Sequence, residues 1–289
     1  MRLSRRFVQL DVFADRPGAG NPLAVVIDAE DIDPESMQTF ANWTNLSETT
    51  FLLPPTSPEA SYRVRIFTPQ QELPFAGHPS VGSAHAAIDA GLAVPRDGHL
   101  VQECAAGLLP VRVDGEGAAR RIFVRAPRGR EVAVPVESRV WKDVLDGLRL
   151  GALPAVVIDN GPRWWLVELA DEQTVRAMQP ELEAIARLTE ATDTVGLAVF
   201  AHSAHPDYQL VVRAYCPADG IPEDPVTGSA NAAIAAWLEQ NNALRARHYT
   251  ASQGREIGRD GRVRVEVDDS GAVWIGGQTQ TVVQGTLDW

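Results

Sequence analysis

Cysteine is scarce in this chain, with only Cys104 and Cys216 among 289 residues. Two thiols build neither a disulfide framework nor a Cys-rich zinc site, so a reduced cytoplasm is the plain expectation. Positive charge is also short. Lys and Arg number 26 against 38 Asp and Glu, a formal net charge of −12. That balance disfavours nucleic acid and anionic membrane surfaces as partners. No apolar run approaches the ~20 residues of a membrane span. The opening Met1-Arg2-Leu3-Ser4-Arg5-Arg6 lacks the apolar core of a signal segment. Motifs of the H-E-x-x-H, G-x-S-x-G and Walker types are missing. Gly18-Ala19-Gly20 lacks the third glycine of a dinucleotide fingerprint. His202-Ser203-Ala204-His205 has H-x-x-H spacing but lies in a polar loop, so no metal and no cofactor are expected.

A repeat is present instead. His78-Pro79, Gly82-Ser83-Ala84 and Ala86-Ala87-Ile88 match Asp224-Pro225, Gly228-Ser229-Ala230 and Ala232-Ala233-Ile234 at an offset of 146. Arg65–Pro69 matches Arg213–Pro217 at 148, and Gly107 matches Gly254 at 147. Offsets near half the chain length imply a duplicated unit, and 289 residues with 45% hydrophobic content suffice for two cores. In each copy a proline follows a polar residue, the pattern of an N-cap and a first helical position. Asp224 is a good cap by this reading and His78 a poorer one. The segments behind them are small and apolar all round, as in helices buried on every side. Their dipole ends and unpaired N–H groups would attract anions.

Strand patterns surround these helices. Phe7–Phe13, Leu23–Ile27, Glu48–Leu53, Tyr62–Phe67, Leu100–Cys104, Leu108–Val113 and Arg121–Arg125 read as strands in the first half. Asp33-Pro34 opens a helix to about Trp43. The join lies within Pro127–Leu153, with a helical turn at Trp141–Leu148. The second half reads as strands at Ala155–Ile158, Trp164–Leu169, Val195–Phe200 and Tyr208–Tyr215. A helix over Glu172–Thr189 is interrupted near Pro180, and a central helix covers about Pro225–Glu239. Strands at Arg262–Val267, Val273–Ile275 and Thr281–Val283 close the chain. The expected fold is α+β: two similar barrel-like domains, 1–127 and 128–289, each a sheet around a central helix, with the active site in the cleft between them. The last strand could return to the first domain.

Glu48 is the carboxylate of most interest. It begins a strand in an apolar neighbourhood, and reads either as a solvated strand-end acid or as a partly buried general base. Adding 148 lands on Gly196, so only one copy carries an acid there. Asp224 and His78 read either as helix-end polar groups or as a pair that polarises a substrate. Ser83 and Ser229 read as small packing residues. Ser229, with the N–H groups of Gly228 and Ser229, could alternatively bind a substrate carboxylate. Cys216 reads as a buried thiol, and Trp164-Trp165 as rings packed on opposite faces of a strand.

Several segments carry a family resemblance. They are Asp11-Val12-Phe13 with Gly20-Asn21-Pro22-Leu23-Ala24-Val25-Val26; Asn45-Leu46-Ser47-Glu48-Thr49-Thr50-Phe51; Phe67-Thr68-Pro69 with Ala76-Gly77-His78-Pro79; Glu223–Ala230; and Ser252–Arg259. Together they resemble the PhzF family of phenazine-biosynthesis isomerases, over most of the chain and in the right order. The resemblance implies a diaminopimelate epimerase-like fold and a commonly homodimeric enzyme without cofactor or metal. It makes Glu48 the proton carrier, with His78, Asp224 and Ser229 on the substrate. Asn21, Gly77, Gly228, Gln253 and Gly254 join them as substrate-binding residues. Epimerases of this fold place a cysteine at each central helix start; the matching places here are His78 and Asp224, so a two-thiol mechanism is not expected. One departure is Gly258-Arg259-Asp260-Gly261, where the family reads G-R-P-S.

The expected activity is a cofactor-independent isomerisation that moves a proton within a small cyclic or aromatic-precursor carboxylic acid, with trans-2,3-dihydro-3-hydroxyanthranilate as one substrate to consider. An amino-acid epimerase, or a non-catalytic small-molecule binding protein, would use the same scaffold.

Overall fold

The computed structural model describes residues 4–135 and 138–289, with the side chains of Ser138 and Arg139 outside the description. The described chain divides into two compact units. The first holds the residues up to Arg125 together with Gly276–Trp289, and the second is Ala126–Ile275. The break therefore falls two residues before the expected boundary. The final 14 residues belong to the first unit, not to the second domain of the 1–127 and 128–289 division.

In the first unit, strands β1 (Ser4–Val12) and β2 (Asn21–Val26) pair antiparallel. Helix α1 (Pro34–Thr44) leads to β3 (Thr49–Leu53), parallel to β2, and β4 (Tyr62–Phe67) returns antiparallel to β3. The short β5 (Glu72–Leu73) lies on β4. Helix α2 (Gly77–Asp89) is followed by β6 (His99–Cys104), parallel to β4, and by the antiparallel β7 (Gly107–Asp114) and β8 (Arg121–Arg125). The chain's closing strand, Thr279–Asp288, pairs with β1. It is far longer than the Thr281–Val283 stretch that alternation alone suggests.

The mixed sheet wraps α2, which touches β1, β2, β3, β4, β8 and the closing strand. Residues Gly77–Ala87 of this helix are all buried. The Ala/Gly/Ser composition makes such close wrapping possible, because each turn adds little width. Its serines are matched inside. Ser83 Oγ donates to Thr50 Oγ1 at 2.9 Å. Ser80 Oγ accepts from Gln102 Nε2 at 3.0 Å, and Gln102 Oε1 accepts from Tyr62 Oη at 3.1 Å. A buried hydroxyl or amide without such a partner would cost roughly 1–3 kcal/mol.

The second unit repeats the plan. Strand β9 (Arg130–Val132) and helix α3 (Ser138–Leu145) occupy the join. Strands β10 (Val156–Asp159) and β11 (Arg163–Glu168) form the hairpin that Asp159-Asn160-Gly161-Pro162 signals. The helical stretch expected with a break near Pro180 is two helices, α4 (Glu172–Ala177) and α5 (Leu182–Thr192). Strand β12 (Gly196–His202) is parallel to β11, β13 (Leu210–Cys216) is antiparallel to β12, and the short β14 (Ile221–Asp224) lies on β13. Helix α6 (Gly228–Gln240) precedes β15 (His248–Gln253), parallel to β13, then β16 (Gly261–Val267) and β17 (Val273–Gly277). Helix α6 is buried from Ala230 to Leu238 and touches β10, β11 and β16. Trp165 and Trp141 pack edge to face, 4.6 Å between centroids, in the core beneath α3 and α5.

The ladders put the duplication into register. Thr49 faces Phe67 as Leu197 faces Tyr215, an offset of 148 at both ends. The helices do not keep that offset. Gly77 opens α2 and Gly228 opens α6, which is 151 residues apart. The sequence match at 146 is therefore out of register. Asp224 is not the cap of α6 and Pro225 is not its first residue; Thr227 is the N-cap. His78 is likewise not a cap, but the second residue of α2 behind Ala76. The residue equivalent to His78 is Ser229, not Asp224.

Candidate active site

Glu48 owes its place to the end of α1. Asn45 closes that helix in the left-handed region, φ 54°, with its N–H on the Ala41 carbonyl. Asparagine tolerates this conformation better than most residues. The chain then turns through Leu46 and Ser47, and Glu48 stands immediately before β3. Thr49 and Thr50 beyond it are wholly buried, and Thr50 is tied to α2 through Ser83. The motif thus anchors the base of Glu48 to the helix that carries His78.

The two side chains meet. His78 Nε2 lies 3.4 Å from Glu48 Oε2, with side-chain exposures of 6% and 16%. Burial pushes the His78 imidazolium down to a pKa of about 3. His78 is therefore a neutral imidazole at working pH, and serves as a hydrogen-bonding group rather than a cation. Gly77 is buried beside it at the start of α2, where Ala76 supplies no capping side chain. Asn21, at the start of β2, is fully buried.

The second unit holds the other candidates. Asp224 ends β14 and accepts the Thr227 hydroxyl at 2.5 Å. The buried pair Arg213–Glu223, 2.8 Å apart, fixes the preceding residue, and Arg213 also donates to the carbonyls of Val175 and Met178. Gln253 is wholly buried, and its side chain is spent on the protein. Its Nε2 donates to Thr227 Oγ1 and the Asp224 carbonyl, while its Oε1 accepts from Thr227 N–H and Asn231 Nδ2. All its hydrogen-bonding capacity is used, so Gln253 is a positioning residue for Thr227 and not a substrate contact. Gly254 follows at φ +83°, where a Cβ would stand 2.3 Å from the Pro225 carbonyl oxygen. Its backbone braces the approach to α6.

Thr227 therefore caps nothing with its hydroxyl, and α6 begins without a side-chain cap. By contrast, α1 begins with Asp33 accepting the Ser36 N–H at 2.9 Å. The first turn of α6 is left with N–H groups at Gly228 and Ser229 and the positive end of its dipole. Ser229 Oγ accepts from Trp164 Nε1 at 3.1 Å. The indole is only a donor, so the Ser229 hydroxyl hydrogen is turned toward some other acceptor.

Trp164, which the sequence presents as packing alone, is the donor to Ser229. It also governs the place equivalent to Glu48. A Cβ at Gly196 would stand 2.5 Å from the Tyr215 carbonyl oxygen, 2.6 Å from Trp164 Cζ3 and 2.8 Å from Cys216 Sγ. No side chain fits there. The signal was present as a glycine aligned with Glu48, but the ring that fills the space is distant in sequence. The departure at Asp260 is also explained: its φ of 34° is closed to proline, whose ring fixes φ near −65°.

No group of three or more His, Cys, Asp or Glu among the described residues is placed to hold a metal ion. No helix among them is long and apolar enough to cross a membrane.

Comparison with known proteins agrees along nearly the whole chain. The family model described as phenazine biosynthesis-like protein matches residues 10–285. A trans-2,3-dihydro-3-hydroxyanthranilate isomerase of Pseudomonas aeruginosa is 34% identical over 290 residues, covering 97% of this chain and 98% of its own. A Schizosaccharomyces pombe protein named antisense-enhancing sequence 1 is 33% identical, covering 96% and 97%. Among solved structures, a PhzF-family phenazine biosynthesis protein of Bacillus anthracis superposes with a TM-score of 0.84 at 25% identity, covering 99% of both chains.

Proposed function

The chain belongs to the phenazine biosynthesis-like protein family, the PhzF isomerases, and from that premise we propose a cofactor-independent proton shift within a small cyclic carboxylic acid. Glu48 takes a proton from an activated carbon and returns it to another atom. With one base, removal and return occur on one face of the substrate. Neutral His78, 3.4 Å away, orients the Glu48 carboxyl group and passes or accepts a hydrogen bond as its charge changes. The N–H groups of Gly228 and Ser229, with the Ser229 hydroxyl, hold the carboxylate. Asp224, fixed by Thr227, takes a polar substituent.

The observation that carries this reading is the buried Glu48–His78 pair, set against a glycine with no room for an acid at the equivalent place, Gly196. A two-base epimerisation is less well served. The helix-start equivalent of His78 is Ser229, which is no base at neutral pH, and Asp224 is already committed to Thr227.

Trans-2,3-dihydro-3-hydroxyanthranilate, named for the Pseudomonas aeruginosa relative, is the first substrate to try. We place the enzyme in the cytoplasm as a homodimer; the thiols Cys104 and Cys216, not joined as a disulfide, suit a reduced compartment. The test is incubation with that compound and a panel of cyclic and aromatic carboxylic acids, followed by chromatography and mass spectrometry. An isomer of unchanged mass is expected. A ligand that stabilises the protein yet is always recovered unaltered would make it a binding protein instead.

A further inference from the structure

Asn160 lies in the turn between β10 and β11 and is 3% exposed. Its Nδ2 donates to the Ser229 carbonyl oxygen at 2.8 Å. The other end of the amide, Oδ1, is buried and has no hydrogen-bond partner among the described residues. Buried carbonyl oxygens are nearly always matched, so this one marks either a trapped water or a ligand group. His78 Nε2 is likewise buried, with Glu48 Oε2 3.4 Å away and no hydrogen-bond partner among the described residues. Unmet polar atoms thus occur where chemistry is expected.

The partner of Nδ2, on the same amide, sets which ligand groups Oδ1 could read. Nδ2 of the same amide donates to the Ser229 carbonyl, and Ser229 Oγ accepts from Trp164; what the first turn of α6 has left to offer a ligand is donors, its N–H groups and the Ser229 hydroxyl hydrogen. An anion satisfies all of these but offers nothing to a second acceptor. A carboxylate alone would leave Asn160 Oδ1 unmatched. A carboxylic acid with an amino or hydroxyl group on the adjacent carbon satisfies both.

We propose that Asn160 is a specificity residue whose Oδ1 accepts a hydrogen bond from an amino or hydroxyl group next to the substrate carboxylate, resting on the assignment of that carboxylate to Gly228 and Ser229. The amide is polarised for this by its bond to Ser229, and the Asp159–Pro162 turn holds it rigidly. Asp159 Oδ1 accepts the Gly161 N–H at 3.0 Å, and Asn160 N–H donates to the Pro162 carbonyl at 3.2 Å.

The test compares matched ligands by isothermal titration: 2-aminobenzoate against benzoate, and 2-aminocyclohexanecarboxylate against cyclohexanecarboxylate. Wild type is expected to favour the amino member of each pair by about tenfold, one good hydrogen bond. Asn160→Ala should bring that ratio to about one while leaving the affinity for the plain acids within about threefold. A purely structural role would weaken both members equally and keep the ratio. Asn160→Ser, with a hydroxyl that can accept, serves as the second variant should Ala fold poorly, and should restore part of the preference. An unchanged ratio in both variants overturns the proposal and points to a trapped water at Oδ1. If Ser229→Ala abolishes binding of all four acids while the ratio ignores Asn160, the carboxylate assignment survives alone. If none of the four binds wild type, that assignment falls and this proposal with it.

Discussion

Replacing Gly196 with alanine tests the physical basis for a single acid. The new Cβ would meet the Tyr215 carbonyl oxygen at 2.5 Å, Trp164 Cζ3 at 2.6 Å and Cys216 Sγ at 2.8 Å. The first is backbone within the β12–β13 ladder and cannot swing aside. The second belongs to an indole held by Ser229 and 2% exposed. Either β12 shifts or the ring leaves its place. Overpacking of this kind costs about 1–3 kcal/mol, and the rigid neighbours put Gly196→Ala near the upper end. At roughly 2–4 °C per kcal/mol, the Tm falls by about 6–12 °C. The control is Gly285→Ala in the closing strand, where a Cβ meets nothing within 4 Å; its Tm should stay within about 2 °C. Differential scanning fluorimetry measures both. An unchanged Tm for Gly196→Ala would mean that the place can hold a side chain, and the reason for only one acid would vanish.

Trp164→Phe keeps most of the ring and removes the donor to Ser229. The Ser229 hydroxyl then turns partly away from the substrate carboxylate. About 1 kcal/mol is at stake, so KM should rise about fivefold with kcat nearly unchanged in steady-state assays. Arg213→Met breaks the buried pair with Glu223 and leaves a charge stranded. Chemical denaturation should show a loss of about 3–5 kcal/mol, most of it recovered when Glu223→Leu is added. His78 gives a pH signature. Its pKa is near 3 when folded and near 6.5 when unfolded, so between these values the unfolded chain binds the extra proton. Stability is full above pH 6.5 and falls by up to about 1.4 kcal/mol per unit as pH drops through that window. His78→Gln should flatten the difference. An identical pH slope in wild type and variant would contradict the buried neutral imidazole.

How much of this was legible in the sequence varies with the kind of signal. The match of Arg65–Pro69 to Arg213–Pro217 gave the ladder register directly, because alternating strands fix which residues face inward. From that register Glu48 falls against Gly196, and the lone acid follows. The caps lie two residues before His78 and three after Asp224, so the true offset of 151 exceeds the sequence match by five. The Gly-Ser-Ala match is compositional, and any two small-residue helices share it. Asp-Pro marks a true cap at Asp33, yet Asp224 sits in the extended β14, where Ala214 pairs with it. Ala76 carries no capping group, so nothing local marks the first residue of α2. The roles of Trp164, Asn160 and Gln253 depend on partners 22 to 69 residues away. The closing strand's return to the first unit depends on β1, at the far end of the chain.

Proton transfer by Glu48 is the central claim, and isotope exchange reaches it directly. Substrate should be incubated in heavy water with wild type and with Glu48→Gln, and deuterium at the carbon positions read by NMR as product forms. Wild type should place deuterium only at the carbon that gains the proton, while the Gln variant loses both turnover and exchange by at least about a hundredfold. Turnover with label retained in Glu48→Gln would show that another group moves the proton.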